Sequence, residues 1–156
     1  MAINTEKNSY TLLFAICLVV VVGTLLAAVD SSLKEKIRIN KTLEKQQNIL
    51  YAIGINENDG NSVSFISAEK ADQEFNKYVI NQIYIQGQSI IEDDKAYLID
   101  VKKEKSLSKD PNYKRRLPLF IAEKDGKNLY VAPIRGKGLW DAIWAYVSLD
   151  ENMTIQ

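Results

Sequence analysis

The chain has 156 residues, with 20 Lys+Arg against 20 Asp+Glu, no histidine and one cysteine, Cys17. Zero net charge argues against a generic nucleic-acid binder. The missing histidine and lone cysteine exclude Ser-His-Asp and Cys-His catalysis, histidine-ligated zinc or copper, cysteine-ligated iron–sulfur clusters and intrachain disulfides, so any chemistry has to come from a cofactor or a partner.

Residues 1–10 read as an N-terminal tail. Residues 11–29, TLLFAICLVVVVGTLLAAV, carry no charge, and at about 1.5 Å per residue such a helix crosses a hydrocarbon core. The β-branched run from Val19 to Val22 would weaken a helix in water. In lipid any alternative leaves backbone groups unpaired, so the segment predicts one transmembrane helix. A cleavable signal peptide is the rival, but its apolar region is shorter, and Leu26-Ala27-Ala28-Val29 lacks the two small residues of a cleavage site. Lys7 alone precedes the span, while Lys34, Lys36, Arg38, Lys41 and Lys45 follow it among acids, so charge counting leaves the orientation open.

Residues 30–54 place Leu33, Ile37, Leu43, Leu50 and Ile53 at helical spacings, predicting a juxtamembrane helix that ends near Gly54. Residues 55–156 then form an α+β domain. A Gly/Asn/Asp loop from Asn56 to Asn61 leads into a second helix from Ala68 to about Ile85, with Ala71, Phe75, Tyr78, Val79 and Ile83 on one side. Strands are predicted over 95–101, 117–123 and 127–133, the last two joined by the hairpin signal Asp125-Gly126. Residues 140–149 read as a fourth, buried strand. Residues 102–116, with seven Lys or Arg, read as a solvated loop, or as a contact for anionic lipid or an acidic partner.

Two motifs fail on spacing. Glu92-Asp93-Asp94 lacks the twelve-residue alternation of a calcium loop and reads as a turn, and no metal site is predicted. Gly136-Lys137 lacks the earlier glycine and the following Ser/Thr of a nucleoside triphosphate loop. What remains is Gly136-Lys137-Gly138-Leu139-Trp140. Here the backbone can approach a ligand, Lys137 supplies positive charge and Trp140 a flat apolar face, as a flavin phosphate or ring requires. The plainer reading is a tight turn with Trp140 and Trp144 in the core.

The run Pro133-Ile134-Arg135-Gly136-Lys137-Gly138-Leu139-Trp140, followed by Ala145-Tyr146-Val147-Ser148-Leu149-Asp150 and Met153-Thr154-Ile155, resembles the family of C subunits of bacterial sodium-translocating NADH:quinone oxidoreductases. The resemblance extends through the N-terminal membrane helix, Lys45-Gln46-Gln47-Asn48-Ile49-Leu50, Phe75-Asn76-Lys77-Tyr78-Val79 and Leu117-Pro118-Leu119-Phe120. It implies an incomplete FMN-binding domain, helices on an antiparallel sheet, on the extracytoplasmic side of the bacterial inner membrane. It further implies a single-pass flavoprotein that relays electrons from NADH toward ubiquinone beside the other subunits of a complex that transports sodium ions. Gly136, Lys137, Gly138, Leu139 and Trp140 are then the cofactor-binding candidates, with no catalytic side chain.

In that family FMN is bound covalently to a threonine of an S-G-A-T type motif downstream of this turn. Thr5, Thr11, Thr24, Thr42 and Thr154 are the threonines here, and none stands in such a motif. On this resemblance the chain reads as an N-terminal portion, inactive alone, that ends before the attachment site. A scaffolding protein that keeps the framework without the flavin is the alternative. A hydrolase is disfavoured, because no nucleophile–base pair can be assembled.

Overall fold

The computed structural model describes residues 8–60 and 62–156. The predicted tail therefore lies largely outside the described residues, as does Asn61 of the predicted loop. The chain divides into two compact units between Asn40 and Lys41.

Helix α1 is one uninterrupted element, Asn8–Ala52. No proline or glycine stands between Val29 and Ala52 to stop it, so the two predicted helices are continuous. Its N-terminal part is long and apolar enough to cross a membrane, and its apolar side chains there are exposed rather than packed against protein. Thr24 and Ser32 return their hydroxyls to the carbonyls of Val20 and Val29 at 2.7 and 2.8 Å, so neither is a loose donor on the apolar surface.

In the second unit the end of α1 turns amphipathic and buries Gln46, Ile49 and Leu50. It stops where Gly54 takes φ +75°. There Ile55 N–H reaches Leu50 C=O at 2.9 Å and Gly54 N–H reaches Tyr51 C=O at 3.0 Å, the paired bonds of a Schellman end. Helix α2, Ala68–Tyr78, follows. It is shorter than predicted, because Val79–Gln86 is strand β1. Val79, Ile80, Ile83, Tyr84 and Ile85 are β-branched or aromatic, which favours extended chain over helix.

Gly87, at φ +65°, turns β1 into β2, Ser89–Glu92, a strand not predicted from the sequence. The strand predicted over 95–101 is instead a 3-10 turn, Ala96–Leu98, leading into helix α3, Val101–Leu107. Asp100 caps α3 by accepting the N–H groups of Lys102 and Lys103 at 2.8 and 3.1 Å, which overrides the strand-like Tyr97-Leu98-Ile99. Part of the predicted basic loop is thus helical. Strands β3, Arg116–Lys124, and β4, Lys127–Lys137, form the predicted hairpin, with Asp125 and Gly126 at φ 53° and 71° as a type I′ turn requires. Strand β5, Ala142–Leu149, closes the sheet.

The five strands run in the order β2-β1-β3-β4-β5, each antiparallel to its neighbours. Register puts Phe120, Ala122, Val131, Leu129 and Tyr146 on one face, and these join Ile49, Leu50, Ile53, Ala71 and Phe75 in the core. Arg116 shares that face and lies 5.9 Å from the Tyr84 ring, and its ion pair with Glu104 lays α3 over the same side. The opposite face presents Ile85, Leu119, Ile121, Ile134, Ile143 and Val147, none of which joins the core. The second unit is α+β with its helices on one side of an antiparallel sheet.

Candidate basic cavity at the β4–β5 hairpin

The glycine-rich segment is split between strand and turn. Gly136 and Lys137 are the last residues of β4, paired with Ile143 and Ala142. Gly138 begins the turn, its N–H donating to Asp141 C=O at 2.9 Å. A Cβ on Gly138 would stand 2.5 Å from that carbonyl oxygen and 2.9 Å from Ile143, so glycine is required there for close approach. Gly136 has open space around it and carries no such constraint.

A cavity of about 390 Å³ lies at this hairpin, lined by Lys105, Arg135 and residues 136–142. All five predicted residues border it. Among the described residues, three cations surround it, Lys105 from α3 and Arg135 and Lys137 from β4, against the single acid Asp141. The Arg135 guanidinium lies 4.8 Å from the Trp144 ring, and its buried Nε has no hydrogen-bond partner. A concavity with three cations against one acid suits a phosphate.

Leu139 and Trp140 are 92% and 95% exposed at the tip, and Trp144 is 50% exposed, so neither tryptophan is core and Trp140 is not in the strand. The reading of a fourth buried strand is corrected accordingly, since β5 is an edge strand on which only Ser148 is fully buried.

The sequence places Lys105 only in the basic segment 102–116 and Arg135 only in the run before the glycines, neither as a residue of this cavity. Period-two register from Val131 through Pro133 aims Arg135 at the helix-covered face, which was a usable signal. For Lys105 the sequence carries no such signal, because only the fold of α3 brings it to the hairpin. Among the threonines, Thr42 stands on α1 and Thr154 follows β5, neither bordering this cavity.

Glu104 fixes α3 beside the cavity. Only 1% exposed, its carboxylate accepts from Tyr113 Oη at 2.7 Å, Arg116 N at 3.0 Å, Arg116 Nε at 2.9 Å and Arg116 Nη2 at 2.6 Å. Burial pushes its pKa up, but the Arg116 and Tyr113 hydrogen bonds outweigh burial and hold it below the usual carboxylate range. On β5, burial and the Glu44 charge push the Tyr146 phenol up to about 12.

No known protein-family model matches the chain. A curated protein from Vibrio anguillarum, the C subunit of a Na(+)-translocating NADH-quinone reductase, is 23% identical over 97% of this chain. The crystal structure of the corresponding C subunit from Parabacteroides distasonis superposes on 77% of the chain with a TM-score of 0.61 and 26% identity. The chain resembles these C subunits in both sequence and fold. It spans 61% of the length of the Vibrio protein and 52% of the Parabacteroides chain. Both relatives are subunits of an NADH-quinone reductase, as the sequence resemblance anticipated.

Proposed function

We propose that the protein is the flavin-carrying subunit of a sodium-transporting NADH:quinone reductase. It is anchored in the bacterial inner membrane by the N-terminal part of α1, with the α+β unit on the extracytoplasmic side. The observation that carries this reading is the coincidence of a likeness to the reductase C subunits along 97% of the chain with a basic cavity at the glycine-rich hairpin. In it, Lys105, Arg135 and Lys137 hold the phosphate of FMN by charge-assisted hydrogen bonds. Gly136 and Gly138 keep the backbone clear of side chains on the approach, and Leu139 and Trp140 cover one face of the ring. The isoalloxazine, when bound, supplies the electron-transfer chemistry. No side chain of this chain need donate or accept a proton.

Gentle detergent extraction of the natural protein tests the reading. It should bring down hydrophobic membrane subunits and an NADH-oxidising flavoprotein, with quinone reductase activity in the same fraction. A solitary protein would reject it. A flavin-free scaffold is the second reading. Equal partner recovery with no flavin in the complex would select it.

A further inference from the structure

Arg135 is held by an aromatic ring rather than by an acid. It stands directly opposite Trp144 in the β4–β5 pair, and its guanidinium lies 4.8 Å from the centre of the indole. Among the described residues no carboxylate forms an ion pair with it. Trp144 is half-exposed on an edge strand, outside the core and outside the lining of the basic cavity. Core packing does not account for an indole at this position, whereas a cation held over its face does. The tight turn at Gly138 keeps the register that sets residue 135 opposite residue 144, and a slip by one residue would send Trp144 to the other face of the sheet. An acid and an indole leave different things free. A carboxylate would neutralise the guanidinium and take up its N–H edge. An indole takes only the planar face, so the charge and the terminal donors stay available to an anion.

We propose that Trp144 is the positioning residue for Arg135: its ring holds the guanidinium in place as a lining cation of the basic cavity, and so sets how strongly the cavity prefers a phosphorylated flavin to the same ring without phosphate. This rests on the reading of the cavity as a flavin phosphate site. Trp144 does not border the cavity, so it acts through Arg135 alone. Without the ring, a long arginine has to be fixed at the moment of binding, which lowers affinity.

Fluorescence titration of the full chain in detergent micelles with FMN and with riboflavin tests the role, because the ratio of the two affinities isolates the phosphate. Wild type should prefer FMN by about tenfold or more, as charge-assisted hydrogen bonds imply. Trp144→Leu should reduce that preference by about three- to tenfold, as expected for fixing a free arginine on binding, and leave the affinity for riboflavin unchanged. Trp144→Phe, which keeps an aromatic face, should restore most of the preference. Arg135→Gln should also reduce it, and adding Trp144→Leu to that variant should change nothing further. An unchanged preference in Trp144→Leu, even if both ligands weaken together, would overturn the proposal while the phosphate reading stands. Independent losses in the double variant would do the same. A wild type that binds FMN no better than riboflavin would overturn the phosphate reading and the proposal with it.

Discussion

Glu104 keeps its charge in a buried position because Tyr113 and Arg116 together offer it four hydrogen bonds. Its folded pKa lies below the unfolded value, so its stabilisation is complete above pH ~4.3 and is lost as pH falls through the lower folded value. Glu104→Gln should cost about 2–3 kcal/mol at pH 7, at or below the range for breaking a fully buried pair because the Arg116 side chain is 39% exposed. Urea midpoints at pH 7 and pH 3 check this, since the difference between variant and wild type should shrink in acid. Gly138→Ala pushes a methyl group into Asp141 C=O and should cost about 1–3 kcal/mol. Gly136→Ala, with open space around it, should be close to neutral by the same measurement.

The helix ends illustrate how local chemistry outvotes pattern. Beyond its Schellman end, α1 receives Lys124 from β3, whose Nζ donates to the carbonyls of Ile53 and Gly54 at 2.9 and 3.2 Å. A cation there also suits the negative end of the helix dipole. Asp100→Ala removes the cap of α3 and should cost about 1 kcal/mol. Because Lys105 rides on that helix, the same variant should weaken flavin phosphate binding to the basic cavity, read by fluorescence titration with FMN. The sequence made α1 legible through its apolar run and Gly54, and the β3–β4 hairpin legible through Asp125-Gly126. It concealed β1, because Val79 and Ile83 satisfy a helical spacing as well as an alternating one. It concealed α3, because a lone Asp100 cap is a weaker signal than three apolar or aromatic residues in a row. The basic cavity was half legible for the same reason: its hairpin lies in one continuous motif, whereas Lys105 reaches it only through a tertiary contact.

At the scale of the whole unit, the sheet is apolar on both faces but helices cover only one. Leu117 to Ala122 on β3 is a continuous apolar run of the kind found in strands buried on both sides. Phe120→Ala should cost about 3–5 kcal/mol, since Phe120 is fully buried against the helices. Ile143→Lys on the opposite face, 61% exposed, should fall within about 0.5 kcal/mol of wild type and lower the binding of a hydrophobic dye. A face that behaved as core in this comparison would contradict the one-sided packing.

The proposed role in electron relay rests on whether the natural protein carries a flavin. Purified from its own membranes in mild detergent, it should show flavin absorbance near one equivalent per chain, bleached on NADH addition to the intact complex. A preparation that retains its partner proteins but contains no flavin would contradict that role.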